Sequence, residues 1–111
     1  MSNVITSELL KDDPDLIELI DRFLSRLPAM QEKIVNACDE KEWDMFVGLI
    51  HQMKGVGGNY GYPMLTTLCA DIEVAVKAED YDKVNNQLSE FKELAKSILD
   101  GSEENHRIAD K

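Results

Sequence analysis

Hydrophobic residues recur at every third or fourth position along almost the entire chain, and this spacing is typical of amphipathic helices. No segment alternates strictly between apolar and polar residues, so the sequence predicts no strands. The pattern indicates five helical segments, which lie within residues 16–27, 30–38, 42–60, 65–76 and 84–98. The predicted fold class is therefore all-α.

The first helix has a clear start and an expected interruption. Asp13 precedes Pro14, which combines a capping side chain with a proline at the first helical position. Pro28 lacks a backbone N–H and its ring clashes with the preceding turn, so we expect it to end or kink this helix. A second segment would then begin near Met30.

Short breaks separate the remaining helices. The third segment ends at Gly61-Tyr62-Pro63, whereas Asp80 is the expected N-cap of the fifth segment and Gly101 ends it. Short connections place consecutive helices side by side in opposite directions. We therefore expect an antiparallel up-and-down four-helix bundle with an additional N-terminal helix.

The third segment carries a histidine on the polar side of a strongly amphipathic helix. With His51 at zero and 100° per residue, five apolar or aromatic residues lie within about 40° of the opposite pole: Phe46, Leu49, Met53, Val56 and Tyr60. The residues within about 60° of the histidine are charged, small or aliphatic: Asp44, Val47, Gly48, Lys54, Gly55 and Gly58. We expect His51 to project into solvent, where a partner protein can reach it.

The surroundings of His51 leave room for a large partner. Helical side chains lean toward the N-terminus, so residues 54, 55 and 58 overhang the imidazole, and two of these three are glycines. Each glycine inside a helix costs about 0.8–1 kcal/mol relative to alanine. Gly55 and Gly58 face outward, so we interpret them as clearance for a partner. Gly57 faces away from His51 and is interpreted as a helix-packing position.

The chemistry of this face suits a carrier of phosphoryl groups. An exposed histidine is mostly neutral at pH 7, so one ring nitrogen has a free lone pair and can act as a nucleophile. The Lys54 ammonium could neutralise charge on a phosphoryl group attached to that ring. Asp44 is the single acid on this side, so the face has no carboxylate cluster for Mg²⁺. The metal and the leaving group should therefore come from elsewhere.

This part of the chain resembles the histidine-containing phosphotransfer (HPt) domain of bacterial phosphorelays. The hallmark of that domain is H-x-x-K-G followed by small residues and a later glycine. The residues that match it are His51, Lys54, Gly55 and Gly61. The resemblance covers about residues 14–100 in the order and spacing of the helices.

The resemblance implies a role and a set of partners. Such domains shuttle a phosphoryl group between aspartates of response-regulator receiver domains, without kinase or phosphatase activity of their own. By this similarity His51 is the phosphoacceptor and Lys54 stabilises the phosphoryl charge. The expected receiver contacts are Asp44, Val47, Gly48, Ile50, Gly55 and Gly58. The implied partners are receiver domains and a hybrid sensor histidine kinase; no intrinsic cofactor is expected, because the receiver supplies Mg²⁺.

Size and composition limit the alternatives. With 111 residues we expect a single domain over 1–111, with its core at about 14–100 and a polar, frayed tail at 101–111. The formal net charge of −10 disfavours nucleic acid and anionic membranes as partners. The chain has neither a membrane-spanning apolar run nor a signal peptide, so we expect it in the cytoplasm. We also expect it to be a monomer. Cys38 and Cys69 lie in apolar stripes and are expected to be reduced and buried.

One alternative function stays open and two others are disfavoured. A non-catalytic helical adaptor could bind a receiver or another signalling domain through the same face. A self-contained kinase or phosphatase is disfavoured, because we find no nucleotide loop, no metal ligands and no second titratable group for catalysis. A dinucleotide loop at residues 55–61 is disfavoured because no strand precedes it. His106 lies in the polar tail and is expected to be solvated.

Overall fold

The computed structural model describes residues 3–110, which are almost entirely helical. Two short 3-10 helices, Glu8–Lys11 and Pro14–Leu16, precede five α-helices. These are α1 (Ile17–Asp39), α2 (Trp43–Asn59), α3 (Pro63–Lys77), α4 (Tyr81–Asp100) and α5 (Ser102–Ala109). No strand occurs within residues 3–110, and the predicted all-α class is confirmed. None of the helices described has the length and apolar content that a membrane span requires.

Helix α1 continues through Pro28, so the prediction of two separate segments is wrong. Pro28 is exposed, whereas apolar residues on both sides of it are buried in one core: Phe23, Leu24, Leu27, Ile34 and Ala37. A proline inside a helix costs about 3 kcal/mol, while burial of one large apolar side chain contributes about 1.5–3 kcal/mol. Packing of this stripe therefore outweighs the local cost. As a result, only the two 3-10 helices precede the bundle, and the expected additional N-terminal α-helix is absent from residues 3–110.

Of the two predicted N-cap residues, Asp80 caps its helix and Asp13 does not. The Asp80 side chain accepts a hydrogen bond from Lys83 N at 3.3 Å and caps α4 as predicted. The Asp13 side chain makes no capping hydrogen bond, and it precedes the 3-10 helix rather than α1. Helix α1 therefore begins without a side-chain cap.

Four of the helices pack in a ring around one core. Helices α2 and α4 each contact both α1 and α3. The largest completely buried side chains come from all four helices and include Phe23, Phe46, Leu65 and Phe91. Only three residues connect each helix to the next, at positions 40–42, 60–62 and 78–80.

Ser102–Ala109 form helix α5 where a frayed tail is expected, and residue 111 of that tail lies outside the described residues. Asn105 is completely buried in this helix; its Oδ1 accepts a hydrogen bond from Ser7 N at 3.0 Å, and its Nδ2 donates to Tyr62 Oη at 3.2 Å. His106 Nε2 lies 2.8 Å from Asp21 Oδ2 of α1, so this histidine is half-exposed but paired. These contacts hold α5 against the bundle.

The N-terminal segment lies across the same end of the bundle. Ile5 N donates a hydrogen bond to Ser97 O at 3.0 Å, and Glu8 N donates to Gly61 O at 2.9 Å. Gly61 has φ of 85°, and a Cβ at this position would collide with Ser7 Oγ. Left-handed backbone and close approach of the N-terminal segment therefore both favour glycine at this position.

Both cysteines are buried free thiols, as the sequence predicts. Burial is the main reason that the pKa of Cys69 is raised to about 12, and the nearby Glu73 carboxylate raises it further. The positive charge of Lys54 opposes these two effects but does not outweigh them. Burial also raises the pKa of Cys38, with a further contribution from Asp39. Neither thiol is therefore disposed to ionise at neutral pH.

Candidate functional site

Helix α2 presents His51 to solvent near the middle of its length. The His51 side chain is 68% exposed. On the opposite side of the helix, Phe46 and Met53 are completely buried. The amphipathic pattern of this segment therefore predicts correctly which side of α2 faces outward.

A carboxylate from the neighbouring helix α3 lies beside both polar side chains of this face. Glu73 Oε1 lies 3.4 Å from His51 Nδ1 and 3.0 Å from Lys54 Nζ. The Glu73 side chain is only 10% exposed, and that of Lys54 is 31% exposed. The sequence places Asp44 as the single acid on this side of α2, so the pattern of α2 does not predict the Glu73 carboxylate beside the histidine and the lysine. A helical wheel of α2 alone cannot reveal a group that α3 contributes.

The charge state of Glu73 follows from two opposing effects. Burial alone would raise the pKa of its carboxyl group. The hydrogen bond and positive charge of Lys54, with a smaller contribution from His51, outweigh burial and lower that pKa below its ordinary value of 4.5. Glu73 is therefore an anion at neutral pH, and the anion can only accept hydrogen bonds.

The Glu73 contact selects one tautomer of His51. When Nδ1 donates a hydrogen bond to Glu73 Oε1, the ring proton is on Nδ1 and the lone pair is on Nε2. Nε2 is the ring nitrogen farther from the backbone. The contact therefore orients the Nε2 lone pair away from the helix.

The outward glycines border open space or ordinary contacts. A Cβ built at Gly48 or Gly55 has no neighbouring heavy atom within 4 Å. At Gly58 it would lie 3.4 Å from Thr66 Oγ1, and this hydroxyl donates a hydrogen bond to Lys54 O at 2.7 Å. Packing therefore does not explain why Gly48 and Gly55, which lie beside His51, have no side chain.

The inward glycine has a packing role, as the sequence predicts. Gly57 is buried, and a Cβ at this position would lie 3.0 Å from Leu65 Cβ and 3.2 Å from Thr66 Oγ1 of α3. The missing side chain allows α2 and α3 to approach closely beside the lysine and the histidine.

The structure brings most of the expected contact residues to one surface. Asp44, Gly48, Gly55 and Gly58 are exposed there with His51, and Val47 is half-buried at its edge. Ile50 is completely buried in the core, so the prediction that it contacts a partner is wrong. This residue lies about 100° from His51 around the helix, toward the side on which Gly57 packs against Leu65 of α3.

The side chains of this site do not fit a resident Mg²⁺ ion. Mg²⁺ requires six oxygen ligands in nearly octahedral geometry, usually with carboxylates among them. Glu73 contributes one carboxylate, and Lys54 already occupies it. Residues 3–110 contain no group of three or more His, Cys, Asp or Glu side chains that could hold a metal ion.

Comparison with known families gives one clear match. The family model of the Hpt domain matches residues 18–101, from the second residue of α1 to the residue that follows α4. Neither a search of curated proteins nor a search of solved structures gave a significant match. The matched region contains the histidine, the lysine and the buried glutamate described above. The chain therefore belongs to the Hpt domain family, whose members are phosphocarriers with a phosphotransfer role in phosphorelays.

Proposed function

We propose that His51 accepts a phosphoryl group from the aspartyl phosphate of a response-regulator receiver domain and passes it to an aspartate of another receiver. The observation that supports this most directly is an imidazole with a 68% exposed side chain whose Nδ1 faces the Glu73 carboxylate at 3.4 Å. This arrangement makes Nε2 the reactive atom. A hybrid sensor histidine kinase is the proposed origin of the phosphoryl group.

The proposed transfer needs no proton to leave the site. The Nε2 lone pair attacks phosphorus while the bond from phosphorus to the aspartate oxygen breaks, and the bonding pair remains on the released carboxylate. The product ring carries a proton on Nδ1 and a phosphoryl group on Nε2, so the ring itself is positively charged. Glu73 stabilises this charge through its contact with Nδ1. Glu73 is therefore a positioning residue, and it does not act as a base.

Lys54 balances the charge that arrives with the phosphoryl group. Its Nζ lies 3.0 Å from Glu73 Oε1, beside the imidazole. A lysine side chain has a flexible four-carbon stem and acts as a compact point charge, so Lys54 can turn toward the phosphoryl oxygens. The side chain is partly buried, and charges interact more strongly there than in water.

The receiver would dock on the outward face of α2 and bring its own Mg²⁺. The proposed contacts around His51 are Asp44, Val47, Gly48, Gly55 and Gly58. Space beside Gly48 and Gly55 supports this assignment, because a docked protein could approach the backbone there. No intrinsic cofactor is proposed, since the side chains of the site do not fit a metal ion.

We also infer that the chain acts as a single monomeric domain whose four long helices run up and down in antiparallel order. The three-residue connections and the ring of helix contacts support this arrangement. The cytoplasm is the proposed compartment, and two buried free thiols support it, because reducing compartments maintain free thiols.

The decisive experiment uses the two histidines of the chain, because His106 provides a matched control for His51. A receiver domain carrying a radiolabelled phosphoryl group is incubated with wild type, His51→Gln and His106→Gln. We expect acid-labile, base-stable label on wild type and on His106→Gln, and none on His51→Gln. Circular dichroism checks that all three proteins are equally helical.

Two outcomes would contradict the proposal. Label that persists on a folded His51→Gln protein would mean that another residue accepts the phosphoryl group. Receiver binding to wild type without any label would favour a helical adaptor that uses the same face without chemistry.

A further inference from the structure

The hydroxyl group of Thr66 on α3 forms a hydrogen bond that crosses between two helices. Thr66 Oγ1 donates to Lys54 O of α2 at 2.7 Å, and Thr66 is half-buried. Serine and threonine hydroxyls inside helices commonly bond to a carbonyl of the preceding turn of their own helix. The hydroxyls of Ser25, Thr67 and Ser89 follow this rule. The Thr66 hydroxyl instead joins the backbone of α2 to α3.

Two glycines of α2 leave room for this hydrogen bond. A Cβ at Gly57 would lie 3.2 Å from Thr66 Oγ1, and a Cβ at Gly58 would lie 3.4 Å from the same atom. The hydroxyl therefore lies where side chains are missing from α2. In an α-helix the carbonyl of residue 54 accepts the N–H of residue 58, and the second lone pair of that oxygen remains for the hydroxyl.

Helix α3 holds Lys54 at both ends. The backbone carbonyl of Lys54 accepts the hydrogen bond from Thr66, and its Nζ lies 3.0 Å from Glu73 Oε1. Thr66 and Glu73 lie about 10 Å apart along α3 and about 20° apart around it. Both contacts therefore come from the same side of α3 and act on the same residue of α2.

The backbone of α2 has little helical preference immediately after Lys54. Gly55, Gly57 and Gly58 follow it, and only proline disfavours a helix more than glycine does. Helix α2 then ends at Asn59, and helix ends fray. A hydrogen bond from a packed neighbouring helix counteracts both effects at the residue that carries the ammonium group.

We propose that Thr66 is a positioning residue for phosphoryl transfer, which fixes the backbone of Lys54 so that its ammonium group stays beside the imidazole of His51. The inference rests on the phosphocarrier function proposed above. Phosphoryl transfer depends on charge compensation in a fixed geometry, and a small displacement of the compensating group slows it. Thr66 acts on the reaction only through Lys54.

The position of Thr66 predicts which kinetic constant it affects. Its hydroxyl is occupied by Lys54 O, so the loss of this group leaves the outward surface of α2 nearly unchanged. Thr66→Val removes the hydroxyl and keeps the shape of the side chain. We expect this variant to lower the rate at saturating receiver about three- to tenfold. The receiver concentration that gives half-maximal rate should stay within about twofold of the wild-type value.

The neighbouring Thr67 provides a matched control. It is exposed, and its hydroxyl donates to Pro63 O of its own helix at 3.2 Å. Thr67→Val should therefore transfer at the wild-type rate, and Thr66→Ser, which retains the hydroxyl, should recover most of the rate. Thr66→Ala removes the hydroxyl without placing a methyl group against the carbonyl, and it replaces Thr66→Val if that variant fails to fold. Single-turnover transfer from a phosphorylated receiver is measured at increasing receiver concentration, well below the melting temperature of each variant.

A double-mutant cycle with Lys54→Met separates positioning from general stabilisation. If Thr66 acts through the ammonium group, loss of its hydroxyl should slow transfer less than about twofold in the Lys54→Met background. An equal reduction in both backgrounds would mean that Thr66 contacts the receiver or only stabilises the fold, and it would overturn the proposal.

Two further outcomes are distinguishable from each other. Wild-type rates at saturation in folded Thr66→Val or Thr66→Ala would overturn the positioning role and leave the phosphocarrier function intact. If wild type accepts no label from the receiver at any concentration, the phosphocarrier function itself fails, and the positioning role fails with it.

Discussion

At the scale of single residues, Glu73 contacts both His51 and Lys54, and periodicity alone does not identify it. Glu73 lies 22 positions after the histidine and on another helix, so its role depends on how α2 and α3 pack together. One sequence signal could have found it. Glu73 follows Cys69 by four residues and Ile72 by one, which places an ionisable group on the apolar stripe of α3. A buried carboxylate of this kind requires a partner, and Lys54 is that partner.

Replacement of Glu73 by glutamine should destabilise the protein in a pH-dependent manner. At pH 7 we expect Glu73→Gln to lower the free energy of unfolding by about 1–2 kcal/mol, because the Lys54 ammonium loses its anionic partner. Folding lowers the pKa of Glu73 below its ordinary value of 4.5. Below about pH 4.5 the Glu73 carboxylate of the unfolded chain therefore binds a proton more readily than that of the folded protein. The contribution of the charge is therefore complete above about pH 4.5 and disappears as pH falls through the folded-state pKa.

Urea unfolding of wild type and variant at several pH values measures this difference. The exposed Glu90 of α4 provides the control variant Glu90→Gln, which should show no comparable loss at pH 7. A difference between wild type and Glu73→Gln that stays constant from pH 7 to pH 3 would contradict an ionised, paired Glu73.

At the scale of helices, periodicity and caps predict α2, α3 and α4 but fail at α1 and α5. The centre of the candidate site was predictable for the same reason, since His51, Lys54 and the outward glycines all lie on α2. The two failures share a cause, because in both cases contacts from distant residues outweigh a local signal. Pro28 is an interruption signal, yet buried residues on both sides hold α1 together. The polar composition of α5 indicates a frayed tail, yet Asn105 binds groups 98 and 43 positions away.

The glycines of α2 should respond in opposite ways to the same substitution. Gly55→Ala should raise the free energy of unfolding by about 0.5–1 kcal/mol, because alanine favours helix and its Cβ meets nothing within 4 Å. Gly57→Ala should lower it by about 1–3 kcal/mol, because the new Cβ would lie 3.0 Å from Leu65 Cβ. Urea unfolding of both variants checks the pair, and a stabilised Gly57→Ala protein would contradict close packing of α2 on α3.

At the scale of the whole molecule, stability and function depend on different parts of the bundle. The N-terminal segment, the α2–α3 connection and α5 meet at one end, where Ser7, Tyr62 and Asn105 form a buried hydrogen-bond network. His51 lies near the middle of α2, away from this network. Changes at the end of the bundle should therefore affect unfolding without altering the chemistry of the imidazole.

Truncation of the buried amide tests this separation. Asn105→Ala should lower the free energy of unfolding by about 2–3 kcal/mol, because the buried Ser7 N–H loses its acceptor and the Tyr62 hydroxyl oxygen loses its donor. The exposed Glu103→Ala in the same helix is the control and should change stability by less than about 0.5 kcal/mol. Thermal unfolding measures both, and transfer to His51 well below the melting temperature should be unchanged. Equal stability of the two variants would mean that α5 does not depend on Asn105 for its position.

The two buried thiols have a practical consequence for following this carrier at work. Cys38 and Cys69 are both buried, and burial raises the pKa of each thiol, so maleimides and spin-label reagents should leave both intact in the folded protein. A cysteine introduced at an exposed position, such as Gln52→Cys on α2 or Ser89→Cys on α4, could then be modified selectively in the natural background. A fluorescent or spin label at position 52 would report the binding of a partner to the surface of α2. A label at position 89 on α4 would serve as the reference.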